Sequence, residues 1–220
     1  MIAAAGEAKG EEVLSRGAAL DKVVSMLSRD GLIAYPTESV YGLGANAVSE
    51  AAVERLFAAK GRPGDMPIPL IIGDTADLAG LVTEISESAR KLMKAFWPGP
   101  ATLVFRATRK IPARVTGGTG KVGLRVSGHP VAAAIARGCA FPITATSANR
   151  SGGAEASSSS ELDPAIRGAV DLIVDGGRTP GRPLSTVLDV TVEPPRIIRA
   201  GGVSEGQIQA LLNAPVRARK

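Results

Sequence analysis

The stretch GLIAYPTESVYGLGANAVSEAAVERLFAAKGRP, Gly31–Pro63, decides the fold. Its apolar run Leu32 to Tyr35 reads as a short strand. Pro36 to Ala47 reads as a Gly-containing loop. Ser49 is a good N-cap for a helix over Glu50 to Ala59, with Val53, Leu56 and Phe57 facing inward and Gly61 ending it. Strand, loop and capped helix in succession make an α/β unit. Gly42-Leu43-Gly44-Ala45-Asn46-Ala47 inside it fits GxGxxA. A dinucleotide fingerprint, however, must join a strand directly to the helix it opens. Pro36 to Tyr41 and Ser49 interrupt that connection on either side, which leaves a turn-forming loop.

Working outward, Ser15 to Arg29 has the periodicity of an amphipathic helix, with Leu20, Val23, Val24 and Leu27 on one face. Residues 1–12 read as a flexible lead-in. Further helices are expected over Asp77 to Val82, Ser88 to Phe96, Val131 to Arg137 (opened by Pro130), Leu162 to Gly168, and from Ser204 to near Leu212. Strands are expected over Ile68 to Ile72, Thr102 to Phe105, Val122 to Val126, Ile143 to Thr146, Val170 to Val174, Thr186 to Val192 and Arg196 to Ile198. Pro69 argues that the first of these is an edge or irregular strand. The alternation predicts one α/β domain over residues 13–220, with helices flanking a mixed sheet. Gly152 to Ser160 is too short for a linker and reads as a functional loop, a candidate lid.

Composition narrows the chemistry. The chain has 220 residues and a formal net charge of +5, with 45% hydrophobic and 21% charged residues. That is ordinary globular usage with a mild preference for anionic ligands such as phosphates, nucleotides or RNA. Aromatics at 3% make a base-stacking platform a poor expectation. One cysteine, Cys139, excludes an internal disulfide and a CxxC metal site. Cys139 reads as a small buried apolar residue. One histidine, His129, excludes HExxH and multi-His zinc sites, and its place before Pro130 suits a turn better than a catalytic triad. No apolar run is long enough to span a membrane, and the N-terminus lacks the pattern of a secretory signal, so a cytoplasmic location is expected. Gly120-Lys121 resembles the end of a P-loop, but Val115 and Val122 stand where that motif needs Gly and Ser or Thr.

Five segments remain. Lys60-Gly61-Arg62-Pro63 offers either helix-end capping or a phosphate clamp. Thr144 to Asn149 offers strand-end turns or donors aimed at a ligand beyond the strand ends. Ser185-Thr186 and Arg199-Ala200-Gly201-Gly202 flank the last strands. Arg125 lies amid an apolar strand, where burial is costly unless an anion pairs with it. No metal cluster or nucleophile–base pair stands out, so electrostatic stabilisation by preorganised donors suits the set better than covalent catalysis.

These segments, in this order, resemble the YrdC family of threonylcarbamoyl-AMP synthases. The matching pieces are Pro36 to Gly44, Lys60 to Pro63, Phe96 to Thr102, Val122 to Val126, Ser147-Ala148-Asn149 with Ser151-Gly152, Ser185-Thr186-Val187 with Asp189, and Arg199 with Gly201. They extend from about Leu20 to the C-terminus, and the length resembles the family's short, single-domain form. The resemblance implies a YrdC-like twisted open mixed sheet with flanking helices and a large basic cavity. It also implies a nucleotidyltransferase that makes threonylcarbamoyl-AMP and pyrophosphate from L-threonine, bicarbonate and ATP. A partner transferase complex then modifies adenosine in tRNA. Ser39, Arg125, Ser147 and Ser185 would hold threonine. Arg62, Lys121, Asn149, Ser157 and Arg199 would hold ATP. Lys60, Arg62, Ser147 and Asn149 would form the catalytic set. Mg²⁺ would be carried by the ATP phosphates, with no metal held by protein side chains alone. Two positions depart from the family pattern. Met66 stands where Asn is common near the nucleotide, and Ile71 where His is common near threonine. Two other readings stay open: a non-catalytic RNA- or nucleotide-binding module with weak RNA binding, and a carbamoyl-adenylate-handling transferase domain.

Overall fold

A computed structural model describes residues 2–3 and 17–218. The lead-in expected over residues 1–12 lies mostly outside them. Its described part, β1 (Ile2–Ala3), pairs antiparallel with Val174 and Ile173 of a later strand.

The chain continues through α1 (Gly17–Ser28), β2 (Ile33–Pro36), β3 (Tyr41–Gly44), α2 (Glu50–Lys60), β4 (Leu70–Ile72), a 3₁₀ turn over Thr75–Leu78, and α3 (Glu87–Phe96). It then forms β5 (Ala101–Arg106), α4 (Ala113–Thr116), β6 (Lys121–Val126), α5 (Pro130–Gly138), β7 (Ile143–Thr144) and β8 (Thr146–Ser147). After α6 (Pro164–Ala169) come β9 (Leu172–Val174), β10 (Thr186–Asp189), β11 (Arg196–Arg199), α7 (Glu205–Leu212) and β12 (Arg217–Ala218).

The α/β class holds, but the strands form two mixed sheets, where the sequence pattern suggested one. Their orders are β1-β9-β2-β3-β8 and β12-β11-β10-β5-β6-β4-β7. The division falls in the segment expected as one strand, Ile143 to Thr146. Thr144 pairs with Leu70 in the larger sheet, while Thr146 and Ser147 pair with Leu43 and Gly42 in the smaller. The chain therefore passes between sheets at Ala145. Alternation along a single segment does not reveal such a transfer, because both sheets demand the same period of two.

The Gly-rich segment is also a correction. It contains β3, which folds back on β2 in antiparallel register with Tyr35 opposite Gly42 and Ile33 opposite Gly44. The glycines admit a neighbouring ring. A Cβ on Gly44 would stand 2.9 Å from both Ile33 Cγ1 and Tyr35 Cε1. The expected edge strand is likewise interior: β4 lies between β6 and β7, with Pro69 just outside it. Ser49 caps α2 by accepting from the Ala52 amide, and Gly61 closes it in the left-handed region at φ 57°.

The helices cover the outer faces. The larger core joins α2, α3 and α7 to β5, β6 and β10, and the smaller seats Val23 and Leu27 of α1 and Ile135 of α5 on Ile33, Ile71 and Val174. Cys139 is half-buried at the C-cap of α5, and burial pushes its thiol up to about 11, which keeps it a thiol at neutral pH. His129 is the N-cap residue of α5, consistent with a turn.

Candidate functional site

The transfer at Ala145 leaves a cleft beside it, with about 770 Å³ of open space at its solvent-facing mouth and floor together. Six of the expected site residues line it: Ser39, Arg62, Arg125, Ser147, Ser185 and Arg199. Each comes from a different place. Ser39 lies in the turn between β2 and β3, and Arg62 follows the Gly61 cap. Arg125 is on β6, Ser147 ends β8, Ser185 precedes β10, and Arg199 ends β11. A second lobe adjoins, lined by Lys60, Arg62, Met66, Ser147, Asn149 and the loop from Ser151 to Glu155.

Arg125 is 9% exposed, and its buried anion comes from the chain itself. Its Nη1 donates to Glu38 Oε2 at 3.1 Å. The other carboxylate oxygen of Glu38 accepts from Ser127 Oγ at 2.8 Å and from the Gly128 amide at 2.7 Å. Burial pushes the Glu38 carboxyl up, but the Arg125 charge and these hydrogen bonds more than offset it, leaving it below the usual range. A guanidinium has five N–H donors. One edge on Glu38 therefore leaves donors for a second carboxylate in the cleft. Glu38 was not among the expected site residues. The sequence signal for it was the buried Arg125 itself, which requires an anion somewhere in the fold.

Lys60 has a different setting from that of a phosphate clamp. It is 2% exposed. Its Nζ donates to the Ser147 carbonyl, to the Asn149 carbonyl at 2.7 Å and to Asn149 Oδ1 at 3.1 Å. An ammonium has three donors, so all are taken. Burial and the Arg62 charge pull Lys60 down to about 8. Asn149 is similarly enclosed. Its Oδ1 also accepts from Ser147 Oγ at 2.7 Å, and its Nδ2 donates to the Gly153 carbonyl at 2.6 Å. Lys60 and Asn149 thus brace the strand end that presents Ser147.

On the opposite wall Arg199 donates through Nη2 to the Ser185 carbonyl at 2.8 Å and to Ser185 Oγ at 3.2 Å. Ser185 Oγ lies 2.8 Å from Thr102 Oγ1, and Thr102, a further cleft residue not singled out from the sequence, is buried on β5. Arg62 is aimed by two carbonyls: Nε to Met66 at 3.2 Å and Nη2 to Pro67 at 2.9 Å. Burial lowers the Arg62 and Arg199 guanidinium values, and the Arg125 charge lowers Arg199 further.

Two expected ATP contacts are not brought to the cleft. Lys121 begins β6, and its Nζ is 2.9 Å from Asp189 Oδ2, a carboxylate that Thr191 and Arg196 also hold. Ser157 donates its amide to Glu161 Oε2 at 2.8 Å, and its carbonyl accepts from the Thr179 amide at 2.8 Å. Neither lines either lobe. The expected lid is pinned at Gly153 by Asn149 and at Ala156 by the Tyr41 amide, and Glu155 is exposed between these points. Met66 is 45% exposed and lines the second lobe, while Ile71 is fully buried in the smaller core and lines neither lobe.

Among the described residues no three His, Cys, Asp or Glu side chains are grouped to hold a metal ion. This donor set fits a divalent ion that arrives on phosphate oxygens and takes at most one carboxylate from the protein. No described helix is long and apolar enough to cross a membrane.

Known proteins resemble this chain over most of its length. Residues 25–201 match the family model of Sua5, YciO and YrdC, described as Telomere recombination. The Threonylcarbamoyl-AMP synthase of Pyrococcus abyssi is 41% identical over 192 residues, covering 87% of this chain and 56% of that one. The Threonylcarbamoyl-AMP synthase of Bacillus subtilis is 37% identical over 203 residues, covering 92% of this chain and 59% of that one. The chain thus spans less than two thirds of the length of these curated relatives. The crystal structure of P. abyssi Sua5 complexed with L-threonine has a TM-score of 0.88 at 38% identity, over 93% of this chain and 60% of that one.

Proposed function

This chain belongs to the Sua5, YciO and YrdC family, and on that premise we propose that it makes threonylcarbamoyl-AMP and pyrophosphate from L-threonine, bicarbonate and ATP. The observation that carries the reading is one cleft in which Arg62, Arg125 and Arg199 converge with Ser39, Ser147 and Ser185.

The reaction has two steps and no redox change. The threonine amine nitrogen bonds to the bicarbonate carbon and water leaves, giving N-carboxythreonine. A carbamate oxygen then attacks the α-phosphorus of ATP, the bond to the bridging oxygen breaks, and pyrophosphate departs. Negative charge grows on the phosphoryl oxygens and the leaving group. Fixed guanidinium groups at Arg62 and Arg199 stabilise that charge with little reorganisation. Arg125 receives the threonine carboxylate on the donors that Glu38 leaves available. Ser39, Ser147 and Ser185 orient the amino acid, where proximity supplies much of the acceleration. Lys60 and Asn149 hold Ser147 in place. Mg²⁺ on the ATP phosphates would add charge neutralisation as part of the substrate.

The product then serves a tRNA-modifying transferase complex in the cytoplasm, and any RNA contact by this chain is weak. The test is formation of an AMP-containing product and pyrophosphate with L-threonine and bicarbonate each omitted in turn. Product that depends on both supports the proposal. Pyrophosphate released without threonine, or none under any condition, contradicts it.

A further inference from the structure

Glu155 is out of place in an anion site. It lines both lobes of the cleft, together with Arg62 in each and with Arg125 and Arg199 in the first. It is exposed, and its carboxylate forms no hydrogen bond or ion pair with a described residue. No other carboxylate lines either lobe among the described residues. It is near enough for its field to favour the charged forms of Lys60 and Arg199. Alone, a carboxylate there repels the phosphates that the arginines attract. The opposition disappears if a cation arrives between them. Mg²⁺ suits that place, because it keeps most of its waters and is bound by one or two carboxylates together with substrate phosphates.

We propose that Glu155 is a positioning residue for the substrate's divalent cation, anchoring it between the Gly153–Ala156 loop and the polyphosphate of the nucleotide. This rests on the nucleotide reading of the cleft given above. Backbone bonds at Gly153 and Ala156 hold the loop on both sides of Glu155, so the carboxylate is presented from a fixed base. In this arrangement the same side chain has two opposite effects. It weakens binding of metal-free ATP and strengthens binding of the Mg²⁺ complex, so that it selects the metal-loaded nucleotide.

The experiment is calorimetric titration of ATP, with Mg²⁺ and with EDTA, into the unaltered chain, Glu155→Gln and Glu155→Asp. Melting temperatures confirm that each variant is folded. The unaltered chain should prefer MgATP. Glu155→Gln should lose roughly fivefold or more of that preference, partly by binding metal-free ATP more tightly, in the range expected for coupling between neighbouring groups. Glu155→Asp should retain part of it. An unchanged Mg²⁺ preference in folded Glu155→Gln overturns this inference alone. Failure of the unaltered chain to bind ATP in either buffer overturns the nucleotide reading and this inference with it.

Discussion

Replacing Lys60 by Met separates bracing from clamping. The ammonium is enclosed and donates to three acceptors, two of them the main-chain carbonyls of Ser147 and Asn149. In Lys60→Met the Asn149 side-chain oxygen keeps its bond from Ser147 Oγ, while both carbonyls lose their lysine donor. Each buried acceptor left unsatisfied costs about 1–3 kcal/mol. Relief from burying a charge offsets part of the sum, so a net loss of about 3 kcal/mol is expected. For a chain of this size that is a fall in melting temperature of roughly 6–12 °C. The pH dependence gives a second readout. The folded-state value is drawn down to about 8 from 10.5, so between those limits the unfolded chain holds a proton that the folded chain has released. Stability of the unaltered chain therefore gains with rising pH across that window relative to Lys60→Met. Differential scanning calorimetry of both proteins at pH 7 and at pH 9.5 measures these effects. A variant with unchanged melting temperature and a large loss of ATP affinity would refute the bracing argument, because a lysine reaching into the cleft would behave that way.

Arg62→Ala should leave the melting temperature nearly unchanged and lower turnover by about 10²–10³, the usual cost of one preorganised charge donor, in a pyrophosphate-release assay. Lys121→Met should leave ATP affinity unchanged by calorimetry, because its amine is committed to Asp189, and should cost about 1–3 kcal/mol of stability, because that carboxylate is buried and loses one of its donors. Glu38→Gln removes the partner of a buried guanidinium and should cost about 3–5 kcal/mol at pH 7 in urea denaturation. The Glu38 value is depressed in the folded state, so its contribution is complete above the ordinary 4.5 and is lost as pH falls through the lower folded value. The acid limb of the stability profile should accordingly flatten in Glu38→Gln, and an unaltered acid limb would contradict the pairing.

Local signals in the sequence sufficed at some boundaries and not at others: the helix expected over Asp77 to Val82 is a 3₁₀ turn over Thr75–Leu78 capped by Asp74, and the short helix Ala113–Thr116 was not expected. Ser49 and Ser204 cap their helices through amides three residues on, and Gly61 ends α2 by its own backbone geometry, so these boundaries were legible. The division into two sheets was not, since it depends on which distant strand each half of Ile143–Ser147 meets. The strand Tyr41–Gly44 was hidden for a related reason. Glycine in a strand normally signals weakness, and here it is compensated by the Tyr35 ring packed over it, a contact that a single sequence does not display.

The same distinction between local and distant partners explains the site. Arg62, Arg125 and Arg199, singled out by residue type and position, all line one cleft. Residue type alone could not separate Lys60 from Lys121, since each role depends on a partner 68 to 89 positions away. The burial of Lys60 follows from a geometric conflict. Ser147 ends β8, the edge strand of the smaller sheet, and Asn149 lies just beyond it, so their carbonyls need a donor from outside that sheet. The end of α2 delivers Lys60 to those carbonyls, while Gly61 turns the chain so that Arg62, two residues later, faces the cleft. One short motif therefore serves two functions. Lys60 stabilises the break in the sheets that forms the cleft, and Arg62 supplies charge to it. Interchanging the two residues should damage both functions, because a guanidinium is too wide for the enclosed three-acceptor site and a lysine lacks the planar fork that engages the Met66 and Pro67 carbonyls.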